Sequence, residues 1–161
     1  MSGRAPRIAV PVPQSFDEDY VRRSLPQYEE AVRMAGGEPV AIPLEGKPAE
    51  IMTHIKRCDG VLLPGSAADV DPAKYDAPRL AHTAEADAKR DTVDELLLQD
   101  AYNMRKPILA ICYGLQILNV YRSGTLVQHI PDWLPEDKRI LVNHEAGRKV
   151  PRAHWVEIER D

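Results

Sequence analysis

Long apolar runs are missing from this 161-residue sequence. The longest is Ile108–Tyr113, far short of the roughly 20 residues that a membrane span requires. The opening stretch MSGRAPRIAVPVP interrupts its brief apolar segment with Pro11 and Pro13, which is not the unbroken core of a secretory leader. Membrane and secretory readings are set aside on those grounds. Cysteine is scarce: Cys58 and Cys112 stand in unlike local settings, so a disulfide framework is not expected, and free thiols in a cytoplasmic protein are. No block of five like charges occurs, and 21 basic against 25 acidic residues leave a net charge of −4. Nucleic-acid binding therefore lacks its electrostatic footprint. Metal chemistry is not expected either: Asp69 and Asp71 make a D-x-D pair, but neither further acidic ligands nor the glycine of a calcium loop follows, so the pair reads as loop caps. No cofactor motif is present.

What the chain does contain is an alternation of short strand-like runs and helix-period segments, the order of a mostly parallel sheet with helices on both faces. The expected class is α/β, and the length fits one domain. Arg7–Val12 reads as the first strand. A helix is expected to open at Ser24, with Ser24 and Gln27 as a capping box, Pro26 in its first turn, and Gly36 and Gly37 as its stop. Pro39–Leu44 is a second strand, Pro48–Lys56 a short helix, and Gly60–Leu63 a third strand, which is buried on both faces because its apolar run does not alternate. Val93, Leu96, Leu97, Ala101 and Met104 keep a 3.6-residue period within a long helix from Glu85 to Met104. Ile108–Ile111 is then a buried fourth strand. Ile140–Asn143 and Trp155–Ile158 read as a C-terminal antiparallel hairpin. The chain stops directly after that last strand, without linker composition, and is expected to be truncated.

The sharpest chemical signal lies in Ala110–Val120, AICYGLQILNV. A helical pattern resumes almost immediately after the fourth strand, and Ala110, Cys112 and Gly114 are spaced as small-x-Cys-x-Gly across the junction. That is the pattern of a nucleophile elbow, in which the nucleophile takes a strained backbone conformation and small neighbours let the strand double back into a helix. A thiol there would stand over a helix N-terminus, where orphan N–H groups favour an anion and the N–H of Tyr113 could donate to an oxyanion. The alternative is a buried structural cysteine at a strand end. A second signal is Gly60–Tyr75, GVLLPGSAADVDPAKY, where a strand runs straight into Pro64, Gly65 and Ser66. Loops at the carboxyl ends of parallel strands line the ligand crevice, so Gly65 and Ser66 are candidates for a second oxyanion donor; the alternative is a turn that needs glycine for its geometry.

Three stretches, LLPGSAADVDPAKY, AKRDTVDELLLQDAYNMRKPILAICYGLQILNV and SGTLVQHI, together resemble the class I glutamine amidotransferase-like superfamily. Within it they are most similar to the gamma-glutamyl-gamma-aminobutyrate hydrolase branch of gamma-glutamyl hydrolase-type peptidases. The resemblance implies a flavodoxin-like, Rossmann-like domain over 1–161, amounting to the N-terminal two thirds of the family's domain. It implies that Cys112 attacks a glutamine-like gamma-amide, that Tyr113 and Gly65 or Ser66 hold the oxyanion, and that Gln116 contacts a small gamma-glutamyl substrate. Ser66 stands for the second glycine of the family's P-G-G, Tyr113 for a frequent arginine, and Ser123 and His129 for a glycine and an aspartate. The family takes its general base and orienting acid from a C-terminal H-x-E element, and no Q-x-H-P-E run occurs here.

None of His54, His82, His129, His144 and His154 matches that element. His144 and Glu145 are adjacent and on a strand would point to opposite faces. Cys58, at a helix end, reads as structural. Arg90 and Asp91 match the family's R-D pair, and surface salt bridging or helix-terminal electrostatics accounts for them without chemistry. The expected function is hydrolysis of gamma-glutamyl amides through a thioester, with little activity in this chain alone and self-association through an exposed sheet surface. The readings from other classes are a non-catalytic ligand- or partner-binding domain of the same fold, a glutamine amidotransferase subunit, and a redox-responsive thiol protein.

Overall fold

A computed structural model describes residues 4–136, Glu157 and Glu159. The chain divides into a unit over residues 1–128 and a second over 129–161. The first unit is built on four strands, β1 (Arg7–Pro11), β2 (Glu38–Ile42), β3 (Gly60–Leu63) and β4 (Ile108–Ala110), all parallel, in the order β2-β1-β3-β4. Three helices connect them, α1 (Glu18–Met34), α2 (Pro48–Ile55) and α3 (Ala88–Met104), with a 3-10 turn at Pro72–Tyr75 before α3, and α4 (Tyr113–Tyr121) follows β4. The class is α/β and the order is that of a flavodoxin-like sheet.

Side-chain alternation along the strands decides which helix covers which face. Ala9, Val61 and Leu63 point into the larger core with Ile51 and Ile55 of α2, Val93, Leu97, Leu98 and Ala101 of α3, and Ile117 and Val120 of α4. Val10 and Leu62 point the other way, onto Leu25, Tyr28 and Val32 of α1. The residues of β3 are buried throughout, as its unbroken apolar run requires. The α1 face also holds an apolar groove of about 340 Å³ lined by residues including Ile8, Val32, Leu62 and Leu109.

Three expectations need correction here. The first helix opens at Glu18, not Ser24: the Asp17 carboxylate accepts the Tyr20 N–H at 2.8 Å as its cap, and the Ser24 hydroxyl instead donates to the Tyr20 carbonyl at 2.7 Å. Pro26 therefore lies inside the helix, on its exposed side, where the Arg22 carbonyl that loses its N–H partner can be met by water. The fourth strand is not buried. Among the described residues it pairs with β3 alone, and Leu109 is 58% exposed.

The third correction concerns α3, whose first turn is not a charged surface. Arg90 and Asp91 are 0% and 3% exposed, and Asp87, Asp94 and Asp100 are buried with them. Charged residues on a helix ordinarily face solvent, and these do not because each charge finds a partner inside. Lys106 serves Asp100; the remainder surround Arg90.

The two aspartates of the D-x-D pair act as loop caps: Asp71 accepts the Ala73 N–H at 3.0 Å and Asp69 the Ala84 N–H at 2.7 Å. In the second unit, α5 (Ile130–Trp133) follows His129, with Pro131 in its first turn. The C-terminal hairpin, His144, Glu145 and His154 lie outside the described residues. No described helix is long and apolar enough to cross a membrane.

Candidate active site

β4 gives way to α4 across a single tight turn, closed by the Gly114 N–H donating to the Ile111 carbonyl at 2.9 Å. Cys112 is the second residue of that turn, at φ +52° and ψ −112°, close to the values a type II′ turn takes at this position. Glycine is the usual residue there, because a Cβ is strained at positive φ. The elbow is pinned to the neighbouring strand by the Ile111 N–H, which donates to the Leu63 carbonyl at 3.0 Å. It also needs Gly114: a Cβ on that residue would lie 2.3 Å from the Leu63 carbonyl oxygen and 2.6 Å from its Cβ.

Cys112 is exposed, and its carbonyl accepts the N–H groups of Leu115 and Gln116 as the cap of α4. Cys58 is buried and its thiol donates to the His54 carbonyl at 3.4 Å; burial pushes that thiol's pKa up. The two cysteines thus differ in access as the sequence suggests.

Gly65 lies directly across from the elbow. A Cβ built on it would be 3.6 Å from Cys112 Cβ, 3.2 Å from the Tyr28 hydroxyl and within 4.0 Å of the Tyr20 hydroxyl. Its N–H donates to the Tyr28 hydroxyl at 3.1 Å, so in this arrangement that donor is already engaged. Ser66 is half-buried and its hydroxyl accepts the Ala68 N–H at 3.1 Å, closing the turn that leaves β3. Gln116 sits one turn into α4 and lines a small cavity of about 70 Å³ with Asp69, Thr83 and Gln128 among others. The structure therefore brings Gly65 against Cys112 at the carboxyl ends of β3 and β4, with Tyr113 next in the chain. His54 and His82 are exposed on other elements of the first unit.

Tyr28 and Tyr20 escape the sequence reading, because on α1 a tyrosine at helical spacing reads as packing. The other unforeseen residue is Gln128, whose side-chain oxygen accepts from the Leu80 N–H and the Thr83 hydroxyl while its amide donates to the Pro78 carbonyl. It thereby ties the segment after α4 to the loop before α3.

The sequence profile of the peptidase C26 family matches residues 9–161. The chain belongs to the peptidase C26 family. Individual relatives are similar as well. The chain is 37% identical over 144 residues to the gamma-glutamyl-gamma-aminobutyrate hydrolase of Escherichia coli O157:H7, a match covering 83% of this chain and 52% of that protein. It is 30% identical over 152 residues to protein NtpR of Enterococcus hirae, covering 91% and 60% respectively. To a glutamine amidotransferase-like protein of Rickettsia prowazekii it is 34% identical over 107 residues, covering 66% and 37%. This C26 chain thus spans roughly a third to three fifths of the length of these relatives, the first of which is a hydrolase and the last amidotransferase-like by name.

Proposed function

We propose that Cys112 is the nucleophile of a hydrolase acting on gamma-glutamyl amides. The Cys112 sulfur adds to the gamma-carbonyl carbon; the resulting oxyanion is held by the backbone N–H groups of Tyr113 and Ser66. The Gly65 N–H contributes through, or in place of, the Tyr28 hydroxyl that it now serves. Collapse breaks the C–N bond, the amine leaves with a proton, and the thioester is then cleaved by water to glutamate and the free thiol. Gln116 contacts the glutamyl part. The observation that carries this reading is Cys112 itself: an exposed thiol in a strained backbone conformation over a helix start, facing a β3 loop glycine on which a Cβ would lie 3.6 Å from Cys112 Cβ.

Cleavage of an unactivated amide also calls for a base that takes the thiol proton and delivers one to the leaving amine. The sequence lacks the family's H-x-E run, so turnover of amides by these residues alone should be slow, about 10⁴-fold or more below a complete triad. An activated gamma-glutamyl ester, whose leaving group needs no proton, bypasses that requirement and tests the nucleophile directly. Intact-mass and peptide mapping should then find a gamma-glutamyl group on Cys112, absent from Cys112→Ala. A folded chain that binds the ester without acylating Cys112 would instead support the non-catalytic binding domain.

A further inference from the structure

Arg90 is fully buried, yet none of its guanidinium nitrogens is idle. Nε donates to both carboxylate oxygens of Asp94 at 2.9 Å, one terminal nitrogen donates to the Pro13 carbonyl at 2.7 Å, and the other to the Pro64 carbonyl at 3.0 Å. The guanidinium carbon lies 5.1 Å from the ring centroid of Tyr113, whose hydroxyl donates to Asp91. Asp87, the cap of α3, accepts the Arg90 N–H and also the N–H and hydroxyl of Ser15. One side chain therefore holds three chain segments at the carboxyl ends of the sheet: the loop after β1 through Pro13, the loop after β3 through Pro64, and the elbow through Tyr113.

Pro64 and Tyr113 are not arbitrary attachment points. Pro64 shares a peptide unit with Gly65, the residue beside Cys112, and precedes Ser66 by two positions; Tyr113 follows Cys112. Burying a guanidinium is costly unless each donor is used, and a helix face made of alanine and leucine would fill the same volume without that cost. An arginine is suited to this place because its rigid planar fork fixes the direction as well as the distance of each carbonyl. Lysine, a point charge on a flexible stem, cannot satisfy two carbonyls and a carboxylate in one plane.

We propose that Arg90 is a positioning residue that sets the backbone N–H groups of the β3 loop and of the elbow in register with each other, so that both can point at one substrate oxygen. This rests on the gamma-glutamyl reading of the preceding section. Asp94 holds Arg90 in place, and Asp91 holds the Tyr113 ring beneath it. Arg90 does not itself touch the reacting atoms.

The test compares two reagents on the 161-residue chain. The chloromethyl ketone analogue of glutamine alkylates Cys112 by forming a C–S bond and releasing chloride, with its ketone oxygen resting against the oxyanion donors; iodoacetamide reports thiol access and reactivity alone. The wild-type chain should favour the chloroketone. In Arg90→Lys that preference should fall about tenfold to a hundredfold, the scale of a misplaced reacting group, with the iodoacetamide rate unchanged and circular dichroism confirming the fold. Asp94→Asn is isosteric and still accepts from Nε; it should lose the same preference by a smaller factor and provides a second folded variant. Wild-type preference retained in either folded variant would overturn the positioning role alone. A wild-type chain with no preference for the chloroketone would overturn the gamma-glutamyl reading, and this inference with it.

Discussion

Cys112 is held at φ +52° and ψ −112° in a turn whose closing bond, Gly114 N–H to the Ile111 carbonyl, measures 2.9 Å. A non-glycine residue in such a conformation costs on the order of 1–3 kcal/mol. Replacing Cys112 by glycine removes the Cβ responsible, while glycine's freer unfolded chain returns about 0.5–1 kcal/mol of the gain. Because the thiol is exposed, little packing is lost. Cys112→Gly should therefore stabilise the chain by about 0.5–2 kcal/mol, raising its melting temperature by roughly 1–8 °C for a protein of this size. Cys112→Ala, which keeps the Cβ, controls for loss of the sulfur and should melt near the wild type. Calorimetry or circular dichroism on the three proteins under reducing conditions decides the matter. Cys112→Gly melting at or below Cys112→Ala would show that the elbow stores no strain.

Other outcomes follow from the same geometry. Gly114→Ala places a Cβ 2.3 Å from the Leu63 carbonyl oxygen, so it should cost at least the roughly 1–3 kcal/mol of an overpacked core; a melt matching the wild type would refute the close approach. At limiting iodoacetamide near neutral pH, mass mapping should find Cys112 labelled well ahead of buried Cys58, and preferential labelling of Cys58 would reverse the assignment. Ser123 occupies φ +66°, a left-handed conformation that favours glycine, so Ser123→Gly should raise stability by up to about 1 kcal/mol in denaturant titration. Burial pushes the Asp94 carboxyl up to about 6 against the partial offset of Arg90. A raised folded-state pKa makes the group's stability contribution greatest below its unfolded value and lost as pH rises through 6. The stability of the wild type relative to Asp94→Asn should thus increase between pH 7.5 and pH 4; a flat difference across that window would contradict it.

The sheet and its site were legible in the sequence to different depths, for reasons that individual residues make clear. Gly60–Leu63 is recognisable as a buried central strand because nothing polar interrupts it, and the tight turn at Cys112 is recognisable because a helical pattern resumes almost directly after a strand, with small residues two positions either side of the cysteine; that spacing left a structural cysteine open as the alternative. Local rules misplaced the start of α1: Ser24, Pro26 and Gln27 make a good capping signal, but Asp17 makes another seven residues earlier, and tertiary packing of Leu25, Tyr28 and Val32 against the sheet favours the longer helix. The interior role of Arg90 and Asp91 was beyond reach, since pattern analysis assigns charges to water, whereas the partners that make burial tolerable, Pro13, Pro64 and Tyr113, come from three distant segments.

That last failure bears on how the site is built. Three loops leave the sheet at the carboxyl ends of β1, β3 and β4, and loops of this kind are the parts of an α/β domain least constrained by hydrogen-bonded ladders. An apolar side chain on α3 could exclude water beneath them but could not fix where a particular carbonyl or N–H points, because dispersion contacts are non-directional. Arg90 supplies direction at that point, and it does so from the first full turn of the long helix α3, which is itself anchored by Asp87 and by Val93, Leu97 and Ala101 in the core. The placement of charge inside the protein, which looks like a departure from ordinary packing when α3 is considered alone, is what lets a rigid helix set the geometry of loops that cannot set their own.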